Sequence, residues 1–398
     1  MLTADQVRPF LCHADDFVRS RALDYFAEAA TTSLLPAADI WSVVERFGPH
    51  NMVLLALRKA THTPTSTDRL IEYISQGRRE IEPWVLEKLL AALPIEHLEM
   101  VATHPVAGLR ISKKARLIVD GRRKLLTRSP SALWDELSVY AQRFEVQEQP
   151  KLVYDDGLLI VDAIAQQDGG AAAHVMDLIA APKTAGSWLE VYFIDLAGRL
   201  QLEAAIPFLL DVIGEDGDLV NEHAARALGM IGTSALAAEI ADRYTDSSET
   251  FQIYTPSGLA SMRTNEAESA LVRILGICRD NSERATAVAD ELCEIATTVA
   301  LPTLLDMVEK GDFEPFMTPL DEHVLALSIM QGLEVPWEAA CRQKLLEQRR
   351  RFASRQSALA ERAWELSAAD LARRTPKSDK RRVWVSSSKK RKGSSGKK

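Results

Sequence analysis

Two histidines of this chain stand where imidazoles do chemistry. His174 and His223 fall near the starts of two helical stretches, at similar places about a repeat apart. A ladder of histidines on one surface binds ligands or metals; the same positions also suit polar groups packed at helix ends. The catalytic patterns that would turn such residues into an enzyme are absent from the sequence. There is no G-x-S-x-G, no H-E-x-x-H and no phosphate loop of the Walker kind. The one Gly-Lys neighbourhood, GSSGKK at 393–398, is followed by no helix that would complete a phosphate cradle. Glu215-Asp216-Gly217-Asp218 lacks the alternating oxygen ligands and closing Glu of a calcium loop, so helix capping is its simpler use. Cys12, Cys278, Cys293 and Cys341 are scattered without a C-x-x-C pair and read as buried thiols of a reducing compartment. The expectation is therefore no catalytic residue, no metal and no cofactor.

Charge offers a second chemistry. The net charge of −8 divides into +11 on residues 373–398, where twelve Lys or Arg face one Asp, and −19 on the rest. Two further basic segments interrupt the acidic body. Residues 110–128, RISKKARLIVDGRRKLLTR, hold eight Lys or Arg against one Asp, and 342–362 hold seven against two Glu. Such segments either form solvated faces paired with the acidic body or make one strip that meets phosphates. The candidate polyanion contacts are Arg110, Lys113, Lys114, Arg116, Arg122, Arg123 and Lys124, with Arg381, Arg382, Lys389, Lys390, Arg391 and Lys392 in the tail. Trp384 could stack on a base.

Helices must position all of these. Leu and Ala dominate, and hydrophobic residues make up 46%, ordinary for a folded chain. Leu202, Ile206, Leu209, Leu210 and Ile213 share one helical face, as do Val220, Ala224, Ala227, Leu228 and Ile231. The second face is built mostly of alanine, which suits a helix pressed closely between neighbours. The pair 203–213 and 218–229 reads as a helical hairpin, with Gly229 and Gly232 as C-terminal stops. Gly198 and Gly229 stand 31 residues apart in similar settings, and Arg226-Ala-Leu-Gly returns as Arg273-Ile-Leu-Gly. Arg226 and Arg273 are thus candidate partner contacts, with His174 and His223. Residues 245–262 are polar and carry Pro256-Ser-Gly258, so they read as an insertion loop. From Pro336 a helix is expected to about Arg373, with a single stripe at Leu345, Phe352, Leu359 and Leu366 that would dock on and cap the array. Beyond it, the Ser-, Lys- and Gly-rich tail at 374–398 has too little apolar surface to fold. No basic leader with an apolar core opens the sequence, and no run of about 18 apolar residues occurs, so a cytoplasmic protein is expected.

The run AIPFLLDVIGEDGDLVNEHAARALGMIG, residues 205–232, resembles a HEAT repeat of the short kind found in phycobilin lyase-like proteins. The likeness is good over about 160–245 and weaker over 1–60 and 262–310. The arginine that follows the valine in the family pattern is Asn221 here and is present as Arg19 near the N-terminus. The resemblance implies an all-α fold, an α-solenoid of HEAT-like hairpins. Its parts would be N-terminal hairpins at 1–150, HEAT-like repeats at 151–335, the capping helix at 336–373 and the tail. It also implies a curved surface that binds a protein partner. The expected function is a non-catalytic adaptor or scaffold. Nucleic-acid binding through the basic segments, including the HEAT-like DNA-repair type, is the alternative; Trp134-Asp135 and Trp188 are its aromatic and acid candidates. A chromophore-lyase activity rests on the same resemblance. GSSGKK is similar to part of a SEC-C tail that has lost its zinc-ligating cysteines.

Overall fold

A computed structural model of the chain describes residues 1–30, 34–77, 82–146, 154–167, 170–181, 187–215, 217–351 and 354–355. They are all-α: among the described residues no strand forms, and one isolated bridge joins Pro36 to Thr61. In chain order the helices are α1 (Ala4–Val7), α2 (Asp16–Ala27), α3 (Ala37–Phe47), α4 (Asn51–Ala56), α5 (Pro64–Ser75), α6 (Pro83–Ala92) and α7 (Ile95–Thr103). Then come α8 (Ala107–Arg110), α9 (Lys113–Leu126), α10 (Pro130–Val146), α11 (Tyr154–Gln166), α12 (Ala171–Ile179), α13 (Trp188–Arg199) and α14 (Ile206–Val212). The last are α15 (Asp218–Ile231), α16 (Ser234–Arg243), α17 (Glu249–Met262), α18 (Asn265–Cys278), α19 (Ser282–Glu294), α20 (Leu301–Lys310) and α21 (Leu320–Met330). Short 3-10 turns extend several ends, among them Leu57–Lys59 after α4.

Local chemistry sets these boundaries. Thr233, Ser248, Thr264 and Asn281 each turn a side-chain oxygen onto the first free N–H groups of α16, α17, α18 and α19. Gly232 ends α15 in the left-handed conformation at φ +59°, which glycine adopts without the usual steric cost.

Residues 1–338 form one compact unit, and no boundary between compact units falls near 150. Within it ten helices form an inner layer, each touching the next: α2, α4, α6, α9, α11, α13, α15, α17, α19 and α21. The succession then returns to its start, because α21 and α19 both pack on α2. α21 therefore meets α2, and the run of inner helices has no free edge at this point. Residues 339–398 form a separate unit. Residues 338–351 are helical, in agreement with the expected long helix as far as they go. Its continuation to Arg373, Trp384 and the basic tail lie outside the described residues.

Three readings of the sequence need correction. Residues 245–262 are not an insertion loop: 249–262 are α17, an inner-layer helix. Pro256 removes the N–H that would bond the Gln252 carbonyl, but the Tyr244 hydroxyl donates to that oxygen at 3.1 Å, so the helix continues. Gly229 is not a stop. It lies inside α15, and a Cβ there would stand 1.8 Å from Ser261 Oγ and 3.0 Å from the Gly258 carbonyl of α17. Gly198 has the same role one helix earlier, with Ala227 Cα 2.7 Å from where its Cβ would be. The small-residue face of α15 is thus a close-packing surface on both sides. Finally, the Arg226 and Arg273 stretches are not equivalent. Arg226 is on inner α15 and Arg273 on α18, which lies outside α19.

Candidate functional site

The inner helices run parallel, and their C-terminal ends are tied to one another. Arg122 of α9 donates to the carbonyls of Leu90 and Leu93 at the end of α6. Gln167, after α11, donates to Arg128 O beyond α9, Arg199 of α13 pairs with Asp162 of α11, and Gln201 reaches Met230 O at the end of α15. Arg263, after α17, holds Glu294 of α19 at 3.0 Å and the Tyr25 carbonyl of α2 at 3.0 Å. Lys59, at the end of the α4 segment, donates to Ala29 O at 3.3 Å. Cations at helix C-terminal ends are favoured by the partial negative charge of the free carbonyls there. This explains why Lys59, Arg122, Arg199 and Arg263 collect at one end.

Lys59 is the least compensated of them. Among the described residues its ammonium has no carboxylate within ion-pair distance. Burial pushes its pKa down, and Arg226 acts in the same direction, as do Arg58 and Arg199; Glu28 opposes them. Acids crowd a neighbouring part of this end. Burial holds Glu291 well above the usual carboxylate range, and the nearby charges of Glu294 and Asp290 add to it. Glu291 is half-buried, and its side chain has no hydrogen-bond or ion-pair partner among the described residues.

Two buried locks join inner helices. In the first, Asp195 of α13 accepts from Arg199 Nε at 2.5 Å and stands 3.7 Å from His223 Nδ1 of α15. Burial alone would push Asp195 up, but His223 and Arg199 outweigh it and leave the carboxyl at about 2. In the second, Asp290 of α19 meets His323 Nδ1 of α21 at 2.5 Å and accepts from Thr318 Oγ1 at 3.0 Å. Arg21 of α2 stands 3.1 Å from His323 Nε2. A guanidinium can only donate, so at this contact Nε2 is the acceptor and Nδ1–H is left to donate to Asp290. Thr318 and Asp290 share the Nδ1 side of the ring. A nucleophile activated by this imidazole would need to stand at Nε2, where the arginine is.

The residues singled out in the sequence are dispersed. His223 is 3% exposed and spent in the first lock, so it is no partner contact. His174 lies on α12, in another layer, with its ring 4.3 Å from that of Trp134; no histidine ladder forms. Arg226 is half-exposed and pairs with Glu222 at 3.1 Å within its own helix. Arg273 pairs with Asp242 across α16 and α18, beside a shallow depression of about 370 Å³ lined by Ser234, Ala238, Glu266 and Ser269. The basic stretch on α9 does not present its charge as one strip. Arg122 is buried as a lock between α9 and α6, Arg123 forks onto Glu99, Lys114 meets Glu87 at 3.1 Å and Arg116 caps the Leu109 carbonyl. Arg110 covers Gly77, leaving Lys113 and Lys124 exposed with no ion-pair partner among the described residues. The tail candidates Arg381, Arg382, Lys389, Lys390, Arg391 and Lys392 lie outside the described residues.

Sequence reasoning missed Lys59, Glu291 and the Asp290–His323 lock, because no local motif marks residues that converge from distant helices. It also missed a surface feature at the other end of the inner layer, where the helices begin. The connection before α21 displays Phe316 98% exposed and Met317 53% exposed. The loop that carries them is held: Glu314 N–H donates to Thr286 Oγ1 at 2.8 Å, Thr318 is bound to Asp290, and Leu320 is fully buried. Met52 and Trp84, in the first turns of α4 and α6, are also exposed at that end. Among the described residues no group of three or more His, Cys, Asp or Glu is placed to hold a metal ion, and no helix is long and apolar enough to cross a membrane. No family model, curated protein or solved structure matches the chain.

Proposed function

We propose that this chain is a non-catalytic scaffold of the HEAT-like kind, working in the cytoplasm, that binds a protein partner. The observation that carries this reading is the held loop before α21. A phenylalanine exposed almost completely on a loop fixed by three attachments gains affinity on insertion into a partner without a large ordering cost. Its surroundings, with Asp312, Glu314, Asp321 and Glu322 close in sequence, favour an apolar pocket rimmed by Lys or Arg. The four cysteines, all free, fit a reducing compartment.

The test is capture from native lysate by the full chain, with and without nuclease, beside Phe316→Asp/Met317→Asp. The scaffold reading expects one protein retained after nuclease and lost, at least tenfold, with the double variant. If nuclease empties the lane, the basic segments are the functional element and the scaffold reading fails.

A further inference from the structure

We infer that Lys59 and Arg226, flanked by Arg58 and Arg199, form a binding site for a phosphoryl-type oxyanion at the C-terminal end of the inner helices. The site goes beyond the scaffold reading and does not depend on it. Its geometry follows from a chain of contacts. Lys59 Nζ bonds Ala29 O, the next residue Ala30 donates to Ser261 O at 2.8 Å, and Ser261 lies against Gly229, one turn along α15 from Arg226. Ala227, beside Arg226, lies against Gly198, beside Arg199. These contacts bring the ends of α13, α15 and the α4 segment into one region, where the charges of Arg226, Arg58 and Arg199 all act on Lys59.

The two central cations are available. Among the described residues, Lys59 has only a backbone carbonyl as acceptor. The Arg226 pair with Glu222 is exposed and within one helix, the kind of pair that exchanges readily for a better anion. Arg199 already holds Asp162 and Asp195, so it contributes charge from the flank. Among the described residues, Glu28 is the acid that acts favourably on Lys59. A planar carboxylate is satisfied by a single forked arginine, whereas separate donors approaching from several elements suit a tetrahedral anion with more than one charge.

The test uses the full chain and inorganic phosphate, with chloride at equal ionic strength as the reference. Phosphate at a hundredfold excess over Kd should raise Tm by about 3 °C beyond chloride. Lys59→Met and Arg226→Gln should lose that rise while the basic tail remains intact, which separates this site from the tail. In chloride, Lys59→Met should melt no lower than the parent, because a buried charge among like charges has been removed. If Lys59→Met does not fold, Arg226→Gln, an exposed change, decides alone. A phosphoserine peptide that reproduces the rise identifies a phosphorylated side chain as the source; a rise with inorganic phosphate alone identifies a free anion. An equal rise with acetate, no rise beyond chloride, or an undiminished rise in Arg226→Gln overturns the assignment.

Discussion

The run α13–α15–α17 and the closure of α2 on α19 and α21 do the same job, joining neighbouring inner helices, with different balances of shape and polar contact, the first run adding one buried pair, Asp195–His223, to its close backbone packing. In the first, backbones meet through glycine and alanine: Gly198 on Ala227, Gly229 on Ser261, Gly258 on Ala225. In the second, the contact is made by charges and directed hydrogen bonds: Arg21, His323, Asp290 and Thr318, with Arg263 reaching Tyr25 O and Glu294. Neighbours in sequence can rely on shape, because each hairpin delivers the next helix in register. Helices about 300 residues apart meet with no connection to set their register, and polar pairs that fit in one alignment supply it. The buried pairs thus select a register more than they add stability.

Three variants would break or sharpen that contrast. The largest effect is expected in the shape-matched run. A Cβ on Gly258 would lie 2.8 Å from the Ala225 carbonyl oxygen, which is backbone and has no rotamer to escape into. Gly258→Val should lower stability by about 3 kcal/mol in urea unfolding. A loss under about 1 kcal/mol would mean that α15 and α17 separate easily.

The next effect belongs to the closure. Asp290→Asn keeps the shape but removes the charge that His323 and Thr318 share, at an expected cost of about 2 kcal/mol. Burial pushes the Asp290 carboxyl up, but His323, Arg21 and Thr318 together bring it below its usual value. Its contribution is therefore present above the unfolded-state pKa and is lost as pH falls through the folded one. Stability against pH should show a correspondingly weaker acid loss in Asp290→Asn. An unchanged acid limb would show that the lock does not hold the closure.

The smallest effect has the opposite sign. The folded-state pKa of Glu291 lies above its unfolded value, so the folded protein retains a proton there that the unfolded chain has released. Its penalty grows as pH rises from the unfolded value through the folded one. Glu291→Gln should raise stability near neutrality by about 1 kcal/mol and flatten that part of the pH profile. Destabilisation instead would mean that the carboxylate is bound by a cation the protein needs.

Much of the architecture was legible in the residues. The apolar periodicity of 202–213 and 220–231 placed the helices now seen as α14 and α15, and the alanine face of α15 announced close neighbours. Two signals misled. Pro256 and Gly258 look like turn residues because nothing local reveals that Tyr244 replaces the missing donor. The Arg-x-Leu-Gly match equated an inner helix with an outer one because amphipathic helices of both layers share the same spacing. The charged end was illegible for a plainer reason. Lys59, Arg226 and Glu291 come from segments about 65 to 230 residues apart, and the closed order of the inner layer brings their ends together.

That closed order also fixes a sequence of events during synthesis. Arg21 emerges from the ribosome about 300 residues before His323, a lead of about 15 to 60 seconds at ordinary elongation rates. Until then α2 exposes one flank to solvent and to every passing nascent chain, its Arg21 paired only within the helix, with Asp24 at 3.4 Å. Hairpins in between can fold as they appear, since their contacts are local, but the last step waits for α21. Between the synthesis of α2 and that of α21 the chain is therefore an open array with two unsatisfied edges, which is where chaperone capture or a swap between two nascent copies would take place.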